Sequence, residues 1–208
     1  MHSYIRTVFF VSICLASLAL PEALYAERLF DSHERRSTRL KSFPKWTGML
    51  KKYDNEVTGK ECSPSNQKCL LKKWNSFLSS LQTASPLQQM KEINHYLNQT
   101  PYIIDQINWG VPDYWATPYQ FYIKNGDCED YAIAKYMSLK ALGFNPREMR
   151  VVVLMDNNLN IHHSVLAVWL NERIYILDNQ IQQVVEDKKI HHYKPIYSIN
   201  EKHWWRHR

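Results

Sequence analysis

The most informative segment of the chain is Asn125-Gly126-Asp127-Cys128-Glu129-Asp130-Tyr131-Ala132. Its first two residues are a turn-forming pair that ends the preceding segment. Asp127 then occupies the position of a helix N-cap, and Asp130 follows three residues later, as in a capping box. The apolar residues after it run to Gly143, which is typical of the position just beyond a helix C-terminus. The segment therefore predicts a buried helix with Cys128 in its first turn.

The charges around Cys128 leave two interpretations open. The first turn of a helix favours a thiolate, because its N–H groups are unpaired and the helix dipole is positive there. Asp127, Glu129 and Asp130 oppose this effect, since nearby negative charge raises the pKa of a thiol. A bound hard cation would relieve the conflict, and all-oxygen ligands suit Ca²⁺. The alternative is a capped helix with solvated acids and a cysteine that acts as a small buried hydrophobe.

The N-terminus predicts export. Residues 1–26 contain Arg6, an apolar run from Thr7 to Leu20, and Ala26 as a small residue for cleavage, so they are interpreted as a signal peptide. The run is short for a membrane span, although an uncleaved anchor is the alternative. The chain of 208 residues has a formal net charge of +6 and contains no nucleic-acid motif. This moderate charge is compatible with an anionic surface but does not by itself indicate nucleic acid.

Residues 27–45 are basic and are interpreted as a solvated lead-in, with a patch for a membrane surface or a partner as the alternative. The catalytic domain is expected to span residues 46–208. In an exported protein Cys62 and Cys69 can close a local disulfide across the short polar segment between them. Because Cys14 lies in the predicted signal peptide, Cys128 is then the unpaired thiol of the exported chain, which makes it a candidate for chemistry.

Helical patterns come before strand patterns along the chain. Helices are predicted over Leu70–Leu81 and from Ser85, where Ser, Pro and Gln occupy the N-cap, N1 and N3 positions. Strands are predicted at Val151–Met155, Ile161–Leu170, Arg173–Asp178 and Gln183–Glu186. The fold class is therefore α+β, with N-terminal helices packed on an antiparallel β-meander. The segment 101–125 is predicted to be a long aromatic loop beside Cys128, and Tyr193–Arg208 is expected to close over one edge. His191, His192, His203 and His207 are expected at the surface.

The predicted hairpin brings a histidine and an acid together. If Asn171-Glu172 is a two-residue turn, Leu170 pairs with Arg173, and Asp178 comes opposite Val165. Residues that face each other across strands, and residues two apart on one strand, project from the same side of a sheet. His163 and Asp178 are then diagonal neighbours within hydrogen-bonding reach.

A cysteine at a helix start and a histidine oriented by an acid are typical of a thiol hydrolase. In this hypothesis Cys128 attacks a carbonyl, His163 transfers the proton, and Asp178 orients His163. The oxyanion would be bound by the Cys128 backbone N–H and a donor from the preceding loop, with Gln106 and Trp109 as guesses. The alternative is a satisfied core histidine beside a turn aspartate.

Four blocks of sequence also resemble the bacterial transglutaminase-like cysteine proteinases, and among them the LapG-type periplasmic proteases. The resemblance covers the chain from Trp46 onward. The blocks are Trp109-Gly110 with Asp113-Tyr114-Trp115, the segment Gly126–Tyr136, His163–Val168, and Leu177-Asp178-Asn179.

The resemblance implies a papain-like/transglutaminase-like core with a Cys128–His163–Asp178 triad, and calcium dependence through Asp127, Glu129 and Asp130. It further implies a periplasmic enzyme that clips the N-terminal region of a large surface adhesin, typically at a di-alanine site, and so releases cells from biofilms. An inner-membrane receptor that senses cyclic di-GMP would restrain it through its periplasmic domain. Two alternatives stay open: an acyl-transferase or amidase on the same scaffold, and a non-catalytic, calcium-stabilised binding module.

Overall fold

The structure is a computed structural model that describes residues 28–58 and 67–208. The helices are α1 (Pro44–Thr58), α2 (Gln67–Ser80), α3 (Pro86–Asn98), α4 (Asp105–Asn108), α5 (Pro118–Lys124) and α6 (Cys128–Ala141). The strands are β1 (Glu34–Ser37), β2 (Met149–Asp156), β3 (Ile161–Leu170), β4 (Arg173–Leu177), β5 (Val185–Glu186), β6 (Tyr193–Ile199) and β7 (Trp204–His207). The predicted signal peptide and the predicted Cys62–Cys69 disulfide lie outside the described residues and side chains.

The strands form one antiparallel sheet in the order β1-β7-β6-β2-β3-β4-β5. This arrangement confirms the α+β class and the predicted meander from β2 to β5. Residues 193–208, which were expected only to cover an edge, instead supply β6 and β7. Pro195 interrupts the strand pattern there, and the β2–β6 register shifts between Val153 and Leu154. These local irregularities explain why the sequence pattern missed β6.

The basic segment is part of the domain, contrary to the expectation of a solvated lead-in over residues 27–45. β1 pairs with β7 along four residues, and Leu29 is completely buried. Phe43 packs against the rings of Tyr197 and Trp204, with ring centroids 5.0 Å away in each case. In its described part, this segment therefore forms one edge of the sheet and a cover over its face.

His207 is buried, so the prediction of a surface residue was wrong for this histidine. Its two ring nitrogens lie 2.7 Å from Ser32 Oγ and 2.9 Å from Ser198 Oγ. Burial lowers the pKa of His207 to about 4, and nearby Arg150 adds to this effect. The neutral imidazole thus joins the N-terminal segment to the last two strands.

Helix α6 is the centre of the core. Residues 130–139 are all buried, and the helix packs on β3, β2, α3 and α5. A helix that is enclosed on every side has no amphipathic stripe, which is why it reads as a continuous apolar run. Cys128 is its first residue, so the core holds the start of α6 in a definite position beside the sheet.

The predicted helices are confirmed where the structure describes them, because α2 covers most of Leu70–Leu81 and α3 begins after Ser85, which accepts a hydrogen bond from the Gln88 N–H. The predicted long loop instead contains the short helices α4 and α5. Within the described ranges, none of the helices has the length and apolar character needed to cross a membrane.

Candidate active site

The start of α6 is built by a close contact between Gly126 and Asp130. A Cβ on Gly126 would lie 2.3 Å from Asp130 Oδ2, so only glycine fits. The Asp127 N–H donates to Asp130 Oδ2 at 3.4 Å, as in the predicted capping box, and the Ala116 N–H donates to Asp130 Oδ1 at 2.7 Å. Asp130 therefore joins the loop before α5 to the first turn of α6.

The β3–β4 hairpin has the predicted register, with Leu170 opposite Arg173 and Leu166 opposite Leu177. Both turn residues, Asn171 and Glu172, have positive φ values of 50° and 62°, as a two-residue type I′ turn requires. His163 Nε2 lies 2.8 Å from Asp178 Oδ1. The predicted histidine–aspartate contact is thus confirmed. The other ring nitrogen, Nδ1, lies 3.5 Å from the side-chain amide nitrogen of Gln180 and is the atom left to accept a proton from a thiol.

Both oxygens of the Asp178 carboxylate accept hydrogen bonds. Besides His163, the Gln180 N–H donates to Oδ1 at 2.9 Å and the Tyr193 hydroxyl donates to Oδ2 at 2.6 Å. Burial alone would raise the pKa of Asp178, but the contacts with His163 and Tyr193 outweigh it and lower the pKa. Tyr193 was not predicted, because nothing in the sequence of β6 distinguishes this tyrosine from a packing residue.

A buried lysine, Lys135, interacts electrostatically with Asp178. Lys135 on α6 is completely buried, and its Nζ receives no hydrogen-bond partner among the described residues. Burial lowers the pKa of Lys135 to about 7, while the charge of Asp178 acts in the opposite direction. The protonated form of Lys135 is therefore stabilised by the negative charge of Asp178.

Cys128 and His163 line one cavity of about 460 Å³. Its other lining residues are Tyr102, Pro112, Asp113, Trp115, Asp127, Glu129, Val153, His162, Ser164, Ile196 and Tyr197. Gln106 and Trp109, the guesses for the oxyanion donor, are not among them. The hydroxyl of Tyr102 instead faces the Cys128 backbone N–H. The structure thus brings the thiol, the imidazole and a phenol to the same space.

This conformation favours the neutral thiol of Cys128 over the thiolate. Cys128 Sγ donates to Glu129 Oε2 at 3.2 Å. Burial raises the pKa of Cys128 well above its usual value, and the charges of Glu129 and Asp127 raise it further. The conflict predicted between the helix start and its acids is therefore present in the structure.

The acidic cluster is larger than predicted. Asp105, Asp113 and Glu129 have carboxylate oxygens within 4.8 Å of one another, and so do Asp105, Asp127 and Asp130. Asp105 accepts a hydrogen bond from the Tyr114 N–H, and Asp113 forms an ion pair with Lys45. Asp105 and Asp113 were missed as possible ligands because they come from the segment before α5. The only signal in the sequence that could have indicated them is the presence of these two aspartates in an otherwise aromatic segment.

The chemistry of this cluster fits a hard cation. Asp105 Oδ1 and Asp127 Oδ1 are buried and receive no hydrogen bond from the described residues. Burial raises the pKa of Asp105 to about 6 and that of Glu129 to about 8, with the charge of Asp127 contributing to both. Buried, unpaired carboxylate oxygens are costly unless a cation binds them, and oxygens alone suit Ca²⁺.

A cysteine at the start of a buried helix shares its cavity with a histidine that an aspartate of the same antiparallel sheet orients. This arrangement is typical of the class of transglutaminase-like thiol enzymes. The family model of the bacterial transglutaminase-like cysteine proteinases matches residues 59–207. The chain belongs to this family and is a cysteine protease.

Solved structures of Legionella pneumophila LapG are similar to this chain. One aligns with a TM-score of 0.62 and 27% identity, covering 76% of this chain and 87% of LapG. A calcium-bound form aligns with a TM-score of 0.63 and an EGTA-treated form with 0.62, each at 27% identity over 76% of this chain. They cover 87% and 84% of those LapG chains, respectively. The comparison with curated proteins gave no match.

Proposed function

We propose that this cysteine protease is a calcium-dependent endopeptidase of the periplasm. It cleaves the N-terminal region of a large surface adhesin, and the periplasmic domain of an inner-membrane cyclic-di-GMP receptor restrains it. The observation that carries the proposal is that His163, which is hydrogen-bonded to Asp178, lines the same cavity as Cys128. The adhesin and the receptor are supported by the similarity to LapG-type proteases, and the periplasm by the signal-peptide pattern of residues 1–26.

In the proposed reaction the sulfur of Cys128 attacks the scissile carbonyl, and Nδ1 of His163 accepts the thiol proton. Nε2 of the same ring stays hydrogen-bonded to Asp178, which stabilises the protonated imidazole. His163 then donates its proton to the leaving amine as the C–N bond breaks and the thioester remains. Water attacks the thioester with His163 as the base, which restores the thiol and releases the new carboxylate.

The proposed calcium ligands are Asp127, Glu129 and Asp130, and we add Asp105 and Asp113 because their carboxylates lie in the same cluster. Bound there, the cation supplies positive charge beside the thiol and opposes the rise in its pKa. The oxygens of Asp130 already accept backbone hydrogen bonds, so its main role is to hold the other carboxylates in place. The calcium-bound form of Legionella pneumophila LapG supports the choice of metal.

The test uses the full chain, Cys128→Ala as the control variant, and an N-terminal adhesin fragment from the same organism. We expect cleavage by the native chain in calcium, and at least a thousandfold less with Cys128→Ala or after chelation by EGTA. Normal cleavage in either of these samples would refute the proposal. A labelled primary amine in the same reaction tests the acyl-transferase alternative, because only a transferase would attach it to a glutamine peptide.

A further inference from the structure

One row of cross-strand neighbours runs from the cavity to the edge of the sheet. Ser164 pairs with Val153, and Val153 pairs with Tyr197. Tyr197 in turn pairs with Arg206, which pairs with Arg35 on the edge strand. Residues directly opposite each other across strands project from the same face of a sheet. Since the first three residues line the cavity, the two arginines continue the same surface beyond it.

The two arginines are an uncompensated pair of charges. Both are exposed, and none of the carboxylates in the described residues forms an ion pair with either of them. Like charges directly opposite each other across two strands destabilise a sheet. An anionic group bound between them would relieve this repulsion, since guanidinium groups bind carboxylates through paired hydrogen bonds.

The opposite end of this surface is acidic. Asp113 and Glu129 line the cavity together with Tyr197. Burial raises the pKa of Tyr197 to about 12, and the charges of these two carboxylates contribute. The row therefore has carboxylates at one end, which Lys45 and the proposed calcium ion neutralise in part, and the positive charges of Arg206 and Arg35 at the other. A polypeptide lying along the row would be oriented by this difference, because its acidic side chains are attracted to the arginine end.

We propose that Arg35 and Arg206 form a substrate subsite that binds an aspartate or glutamate side chain of the cleaved polypeptide. This inference rests on the proposed endopeptidase function. Neighbouring strands are about 4.8 Å apart, so the two arginines lie about 14 and 19 Å across the sheet from Ser164. An extended peptide advances about 3.3 Å per residue, so the acidic residue lies about four to six residues from the scissile bond.

The experiment uses a library of 18-residue peptides with Ala-Ala at the centre and randomised flanks, cleaved in calcium and sequenced by mass spectrometry. The test variant is Arg35→Ala/Arg206→Ala. The matched control is Arg36→Ala/Arg147→Ala, which removes the same charge from the other face, where Arg36 pairs with Trp205 and both arginines approach His203. All four arginines are exposed, so both variants are expected to fold.

We expect the native chain and the control to select Asp or Glu about four to six residues from the cleaved bond, on one side of it. The test variant should lose this preference, with kcat/KM for an acidic peptide lowered about tenfold and kcat/KM for its alanine counterpart unchanged. Cleavage without an acidic preference, or an equal preference in the test variant, would overturn the subsite and leave the protease function intact. Cleavage of no peptide at all would overturn both.

Discussion

Two groups of buried carboxylates lie beside the same cavity, and only in one of them do hydrogen bonds from the chain satisfy both carboxylate oxygens. Both oxygens of Asp178 accept hydrogen bonds, from His163, Gln180 and Tyr193, and the pKa of Asp178 is lowered despite its burial. Asp105 and Asp127 each keep a buried oxygen without a donor, and burial raises the pKa of both.

The difference shows that one part of the site is formed by the folded chain alone, whereas the other requires a bound ligand. Asp178 has a fixed charge and orientation as soon as the chain folds, so it is ready to orient an imidazole. The carboxylates around Asp127 repel one another, and the described residues do not offset this repulsion. Their charge also raises the pKa of the neighbouring Cys128. The first group thus depends on hydrogen bonds within the chain, whereas the second depends on a ligand.

The largest expected effect comes from Asp178→Asn. The amide keeps the shape of the side chain but cannot stabilise a protonated His163, so kcat/KM should fall about 10³–10⁴-fold, and added calcium should not restore it. The matched control is Asp156→Asn, another buried aspartate, whose Oδ1 accepts hydrogen bonds in the β2–β3 turn. Peptide cleavage at saturating calcium measures both. Equal losses in the two variants would mean that Asp178 has only a structural role.

Calcium should act on the second group and should be detectable without any substrate. At a free concentration one hundred times its Kd, calcium is expected to stabilise the native chain by about 2.7 kcal/mol. In Asp105→Asn this gain should shrink, while stability in EGTA should rise because one source of repulsion is gone. Thermal unfolding in calcium and in EGTA measures both effects. An unchanged calcium response in Asp105→Asn would exclude this carboxylate from the site.

Gly126→Ala tests the link between the cluster and the backbone. The added methyl group would overlap the Asp130 carboxylate, so unfolding free energy should fall by about 1–3 kcal/mol, and calcium affinity should fall with it. Gly48→Ala in α1 is the matched control, because a Cβ there meets nothing within 4 Å and alanine favours helix by about 0.5–1 kcal/mol. Denaturant unfolding of the two variants should therefore shift in opposite directions.

Tyr193→Phe should give the smallest effect, a loss of about tenfold in kcat/KM, since it removes one of three donors to Asp178. The pKa of Asp178 is lowered in the folded chain, so its stabilising contribution is present above its unfolded pKa and is lost as pH falls through the folded pKa. Without the tyrosine hydroxyl this pKa rises, and acid unfolding should begin at a higher pH. Unfolding followed against pH, with Tyr53→Phe as the control, measures the shift.

The parts of the site that could be predicted are those that depend on short stretches of chain. The helix start at Cys128 follows from residues 125–130, because caps and turns are formed by neighbours within a few positions. The contact between His163 and Asp178 follows from counting residues around a two-residue turn, since side chains alternate regularly along both strands of a hairpin.

Other parts could not be predicted, because they depend on which distant segments meet. Tyr193 reaches Asp178 only because β6 lies beside β2, and Asp105 reaches Asp127 only because the segment before α5 folds back on α6. The burial of His207 likewise requires β1 to pair with β7. The periodicity of the sequence does not predict these pairings, since a segment has a similar hydrophobic pattern whichever distant segment packs against it.

By itself, the sequence determined the α+β class, the family, the cysteine at the start of a buried helix and the histidine–aspartate pair. Only the tertiary structure decided which carboxylates accept hydrogen bonds and which do not, where the cavity lies, and that Arg35 and Arg206 come together on the sheet beyond it. The physical reason is that local geometry is set by backbone stereochemistry over a few residues. Charge balance and cavity shape, in contrast, are sums over side chains that only the complete packing brings within reach of one another.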